Sequence, residues 1–233
     1  MTTATPLSDG AGRRGPRPRL SQEIIIEAAF TICERDGAAA LTFQSIGREI
    51  GAHPTAIYRH FRDRDDLELA LLDALHAESI ESPPQPTGDW AEDLRSHARS
   101  LHASFLRHPQ VAQFSAFRTA RREHEFMKVE QVVDCMLRAG FPPAEAALNK
   151  RVFSDFVLSY SAMDAALLAM DAETREADLR SWQVEYQSLP VETYPNINAV
   201  ARHLPALDDP ANFERALDLM IDALRMRANQ YAS

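Results

Sequence analysis

Apolar positions recur at steps of three and four along nearly the whole chain, and alternation by two is never sustained, so the pattern predicts an all-α protein. Ser21 stands as an N-cap before Ile25, Ala28, Ala29, Ile32 and Cys33, which share one face, and Gly37 ends that helix. A second helix opens at Thr42, carries Phe43, Ile46 and Ile50 inward, and breaks at Gly51. A short third begins near His53, accepts Pro54 in its first turn, and sets Ile57 and Phe61 one turn apart. Asp63 caps a fourth, whose acidic start (Asp65, Asp66) suits the positive end of a helix dipole and whose stripe is Leu67, Ala70, Leu71, Ala74 and Leu75.

The proline-rich stretch 82–88 cannot continue that helix, so the chain divides into residues 21–81 and 89–233, preceded by an arm over 1–20. Beyond the divide the period predicts helices at 89–107, 109–121, 123–139, 143–171, 174–188, 193–204 and 211–229. Within 143–171, Phe153, Phe156, Tyr160, Met163, Leu167 and Met170 follow the spacing of a helix seam, and the opposite side is apolar too. The last helix repeats this with Phe213, Leu217, Met220 and Leu224. Two such helices per chain suit a four-helix interface in a symmetric homodimer, built on Met163, Leu167, Met170, Phe213, Leu217, Met220 and Leu224. The centre of a monomeric bundle gives the same stripes.

Charge changes the picture. The chain of 233 residues has a formal net charge of -9, yet residues 1–64 hold nine Arg against seven acids, and the rest 16 Lys/Arg against 27 acids. Arg13, Arg14, Arg17 and Arg19, spaced by Pro16 and Pro18, make an extended cationic arm, which fits a solvated tail as well as nucleic-acid contact. No run approaches the roughly 18 apolar residues of a membrane span and the N-terminus has no hydrophobic signal core, so a cytoplasmic protein without membrane attachment is expected. Cys33 and Cys135 are too few for a disulfide framework or a thiolate metal site.

Two helices joined by a tight glycine turn, the second short and outwardly polar, follow the helix-turn-helix plan. In the third helix Ile57 and Phe61 point inward, leaving Thr55, Tyr58, Arg59 and Arg62 outside. Arg59 has the geometry for paired hydrogen bonds to guanine, and Pro54 and Thr55 for a thymine methyl. Gln44 faces out from the second helix, where a base edge and plain solvent are both open to it.

Residues 21–67 resemble the DNA-binding domain of the TetR family of bacterial transcriptional regulators. The matching features are Leu41-Thr42, Ile46 and Ile50, Gly51 in the turn, Ile57-Tyr58, His60-Phe61, and Arg64-Asp65 with Leu67. Gly47 departs from it, standing where the family usually has Ala, at a propensity cost of roughly 1 kcal/mol. The stretch 212–224 looks like the last helix of the subgroup around the tetracycline repressor. The resemblance implies an N-terminal three-helix DNA-binding domain, a larger C-terminal helical domain for effector binding and dimerisation, and a double-stranded operator as partner. It implies phosphate contacts from Thr42, Tyr58, His60 and Arg64. Beside such a head, the arm's arginines are expected in a minor groove.

The resemblance also implies a pocket in the second domain for a small-molecule effector. Candidates for its lining are Phe105, Phe114, Phe117, Met127, Phe153, Phe156 and Met163, with His97, His102, Asn149 and Tyr160 as polar contacts, although such a set also describes ordinary core. That inventory suits a largely apolar organic ligand that releases a repressor from its operator. No histidine and carboxylate group has ligand spacing, so no metal and no cofactor are expected. Two other readings stay open: an effector-independent DNA-binding protein, and an all-helical enzyme using His97, His102 or Asp164 as acid-base groups. Against the enzyme stand the missing nucleophile elbow and phosphate-binding loop.

Overall fold

The computed structural model describes residues 20–81, 86–114 and 118–231, and every regular element among them is helical. The head consists of α1 (Gln22–Asp36), α2 (Phe43–Ile50) and α3 (Pro54–Ile57). Ser21 accepts the Ile24 amide and caps α1. Thr42 and Ser45 form a reciprocal capping box at the start of α2, and Gly51 ends it at φ 65°, a left-handed backbone that suits glycine. α3 is a single turn, shorter than predicted, and the chain from Tyr58 to His60 continues as turns.

Helix α4 (Arg64–Glu81) begins with Asp63 accepting the Asp66 amide at 2.8 Å. It packs against α1 on one side and against α5 (Trp90–Arg107) and α7 (Glu123–Arg138) on another. Leu67, Leu71 and Leu75 are fully buried in one continuous apolar cluster that runs from Ile25 in the head to Phe213 near the far end. The head therefore sits on the body through a shared helix.

The body is completed by α6 (Pro109–Ala112), α8 (Pro143–Ala169), α9 (Ala172–Ser188), α10 (Pro195–Val200) and α11 (Ala211–Ala228). The predicted helix over 109–121 stops at Ala112, and Arg121 takes a positive φ of 55°. Side-chain pairs from Arg118 and Arg122 to α4, described below, fix this segment against the helical course that its propensity favours. α9 and α10 pack on each other, with Trp182 Nε1 donating to the Pro205 carbonyl at 2.8 Å.

In α8 the buried row is Asn149, Phe153, Val157, Ser161 and Ala165. Steps of four advance about 40° around a helix of 3.6 residues per turn, so this row winds as α8 passes α7, α5 and α6. The seam expected from Phe153 to Met170 consequently splits. Phe153 is buried, Phe156 and Tyr160 are half-buried against Phe213, and Met163 and Met170 emerge into solvent.

Candidate functional site

The outward face of the head is built by its caps. Thr42 spends its hydroxyl on the Ser45 amide, so any phosphate role passes through the exposed N-terminus of α2. Thr55 gives its hydroxyl to His53 Nδ1 at 2.8 Å, which leaves its methyl as the group for a thymine. Tyr58 is 59% exposed and its ring is held edge-on by Phe43, with centroids 4.7 Å apart. Gln44 and Arg59 are exposed, while Pro54 and His60 are half-buried. The His60 carbonyl accepts Gln22 Nε2 at 3.0 Å, tying α1 to the end of the reading segment. Arg59 makes no ion pair among the described residues, and neither does Arg48, an exposed residue of α2 that the sequence reading passed over. Its signal was position, one turn beyond Gln44 on the same outer face.

Arg64 is half exposed and is engaged by its own helix and the body. Its Nε donates to Glu68 at 2.8 Å and its guanidinium lies 5.8 Å from the Phe114 ring centre, so it faces the body. Arg13, Arg14, Arg17 and Arg19 lie outside the described residues.

Three polar links join α4 to the start of α7. Arg118 Nη2 meets Asp65 at 2.6 Å, and Arg122 Nη2 meets Asp66 at 2.6 Å. Asp73 accepts the Glu125 amide at 3.0 Å and His124 Nδ1 at 2.9 Å, so a carboxylate of α4 caps the N-terminus of α7 from across the interface. Asp66 also accepts the Arg62 amide at 3.1 Å, directly after the reading segment.

Behind these links α4, α5, α7 and α8 enclose a chamber of about 60 Å³. Its walls are apolar at Leu101, Val132, Phe153, Val157 and Leu158, and polar at His76, His97, Lys128, Lys150, Ser154 and the Glu125 carboxylate beside Lys150. Across Glu125, Lys150, Ser154 and Leu158 it continues into an outer vestibule of about 350 Å³. Burial pushes both His76 and His97 down to about 4, so each ring is neutral at pH 7. Burial likewise lowers Lys128 to about 8.

Of the expected lining, His97 and Phe153 alone among the described residues reach this chamber. Phe105 is fully buried in solid core, Phe114 turns to Arg64, and Met127 is 43% exposed on the outside of α7. Phe156 lies parallel to Phe213 and Tyr160 meets it edge-on. Asn149 is buried off the chamber with its Nδ2 unpaired, and Phe117 lies outside the described residues. His76 and Lys128 were missed. Lys128 shares a face with Val132 and Cys135, and a lysine inside an apolar stripe was the available signal.

His102 and Asp164 do come together, at 2.8 Å, with the imidazole stacked 3.9 Å from Phe213. The pair ties α5 to α8, and His97 stands apart in the chamber. On α11, Phe213, Leu217 and Leu224 are 2%, 0% and 3% exposed, so they face the chain's own α5 and α8 instead of a partner. Ile221 joins them inside, and this inner row leaves Leu219 and Met226 as the outward apolar face, with Met220 half-buried beside it.

Residues 25–71 match the family described as bacterial regulatory proteins, tetR family, and residues 82–228 match the tetracyclin repressor-like C-terminal domain. The chain is 26% identical to an HTH-type transcriptional regulator of Saccharopolyspora erythraea over 91% of this chain and 87% of that one. It is 26% identical to the class A tetracycline repressor protein from transposon 1721 of Escherichia coli, over 90% of this chain and 92% of that one. The structure of the Streptomyces coelicolor TetR family protein ActR in complex with (S)-DNPA superposes with a TM-score of 0.76 at 25% identity, covering 90% of this chain and 98% of that one. With the helix-turn-helix head and the helical body both matched, the chain belongs to the TetR family of bacterial transcriptional regulators.

Proposed function

We propose that this regulator is a homodimeric repressor that binds a palindromic operator through α2 and α3 and releases it when a small organic molecule occupies the chamber. The observation that carries the reading is the double service of α4. At its start Asp66 holds the Arg62 amide behind the reading segment, and nearly three turns further on His76 forms part of the chamber wall. A ligand that changes the packing at His76 acts on the same rigid helix that supports the head.

The relatives support both halves of this reading, since one is named a repressor and a solved neighbour is a complex with a small molecule. Dimerisation draws on the outer stripes of α8 and α11. Leu148, Val152 and Met163 are 62%, 55% and 58% exposed, and Leu219 and Met226 are 73% and 70% exposed. α8 is long and apolar enough to cross a bilayer, but its Phe153, Val157 and Ala165 row is spent on the protein core, which favours a partner helix for the remaining stripe.

Selection of duplexes from a random pool tests the reading. Two-fold symmetry predicts a palindrome with half-site centres about one helical turn, roughly 34 to 36 Å, apart, and affinity that falls steeply with salt. Recovery of sites without symmetry, or a monomer in sedimentation at micromolar concentration, contradicts it.

A further inference from the structure

Lys128 and Lys150 are the only lysines in a chain whose lysines and arginines total 25, and both line the inner chamber. Lys150 has the Glu125 carboxylate beside it. Lys128 has no carboxylate within ion-pair distance among the described residues. It is 6% exposed, and its ammonium reaches only Ser100 Oγ at 3.2 Å and the Ser79 carbonyl at 3.5 Å. An ammonium carries three donors, and a buried one without a counter-charge is costly to the fold.

Two more polar atoms beside it are unsatisfied. His76, 5% exposed, and His97 each have a buried Nδ1 with no hydrogen-bond partner. Buried polar groups in folded proteins are paired as a rule, and three under-satisfied side chains among the residues that line one cavity point to something that completes them. A group that brings negative charge to Lys128 and accepts hydrogen bonds from the two imidazoles, each in its Nδ1–H form, satisfies all three.

We propose that the inner chamber is a carboxylate-recognition site, so that the effector is an organic acid with an apolar body, its carboxylate accepting from Lys128 Nζ and from the Nδ1–H groups of His76 and His97. This rests on the reading of the chamber as the effector site. One buried ammonium balances a single negative charge, which favours a monocarboxylate over a phosphate dianion. Leu101, Val132, Phe153 and Val157 provide the apolar contact, and the vestibule beyond Ser154 takes the rest of the molecule. The three donors come from α4, α5 and α7, so a bound carboxylate draws together the helices on which the head rests.

The test uses a panel of monocarboxylic acids from butyrate to 1-naphthoate, each paired with its primary amide, titrated calorimetrically into the full-length protein and into Lys128→Met. The amide keeps the shape and loses the charge. At least one acid is expected to bind wild type about tenfold or more tightly than its amide, as a charge-assisted hydrogen bond implies. Lys128→Met is expected to erase that preference while melting, ligand-free, no lower than wild type, because an unpaired buried charge has been removed. Lys128→Gln, which keeps hydrogen bonding toward Ser79 and Ser100, serves as the second variant should the first not fold. Absence of any acid preference across the panel overturns the proposal, as does a preference that survives both substitutions. Operator affinity measured in the same samples separates the two readings. Acids that bind with preference but leave operator affinity unchanged sustain the carboxylate site and sink ligand-controlled repression. Acids and amides that release the operator equally do the reverse.

Discussion

The Arg122 guanidinium donates to the Asp66 carboxylate at 2.6 Å and to the Asp66 carbonyl at 3.1 Å, while the other carboxylate oxygen holds the Arg62 amide at 3.1 Å. A single side chain thus links the segment that leads into α7 with the end of the reading segment. Both partners are about 70% buried, which places the pair between a screened surface bridge and a costly interior one.

Arg122→Ala should uncouple the two halves without unfolding either. Stability is expected to fall by about 1.5 to 3 kcal/mol, the range for a hydrogen bond to a charged group. The ratio of operator affinities with and without effector should shrink toward one. Arg180→Ala, which breaks a solvent-exposed pair with Glu176, is the control and should leave that ratio unchanged. Fluorescence anisotropy on a labelled operator reads both, and an undiminished ratio in Arg122→Ala contradicts the link.

Arg59→Ala and Tyr58→Phe should fail in different ways. Loss of a two-pronged guanine contact costs about 1 to 3 kcal/mol and relaxes preference at one base pair, whereas a lost phosphate hydrogen bond weakens all sequences alike. Operator selection on both variants measures this, and an unaltered base preference in Arg59→Ala removes Arg59 as a reader.

Gly47→Ala should destabilise the protein even though alanine is the better helix former by roughly 1 kcal/mol. A Cβ at position 47 stands 2.7 Å from the Ala52 carbonyl oxygen, and that backbone is fixed by Ala52 and Gly51 amides donating to the Gly47 carbonyl. The turn between α2 and α3 has to shift, and operator affinity falls with it. A raised melting temperature together with intact operator binding is the contrary outcome.

Acid sensitivity should trace in part to His76. Its folded-state value lies near 4 and the unfolded ring titrates near 6.5, so the unfolded chain holds more protons between those limits. Stability from neutral His76 is therefore complete above about pH 6.5 and drains away as pH falls toward about 4. Between about pH 7 and about pH 4.5 wild type should lose up to roughly 3 kcal/mol more than His76→Gln. Urea midpoints at the two pH values give the difference, and parallel losses in the two proteins contradict it.

What the sequence made legible is local. Ser21, Thr42 and Asp63 act as caps and Gly51 ends α2 because these effects need only a few neighbouring residues. The helix expected at 109–121 stopped at Ala112 because Arg118 and Arg122 answer carboxylates more than fifty residues away, which no local period records. The chamber was hidden for a similar reason. Aromatic and methionine residues at helical spacing suggest a lining, yet most of them fill core or surface, and the polar residues that define the chamber come from four different helices. On α11 the row Phe213, Leu217 and Leu224 was visible as a stripe, but a stripe does not say whether its own chain or a partner covers it.

The central claim, that occupancy of the chamber and operator binding oppose each other, is tested most directly by calorimetry. The tightest-binding acid of the panel is titrated into free protein and into the protein-operator complex. Linkage requires that an acid which weakens operator binding by some factor bind the complex more weakly by the same factor. A lower affinity for the complex is expected, matched in factor by the loss of operator affinity under saturating acid. Equal affinities in the two titrations would contradict it.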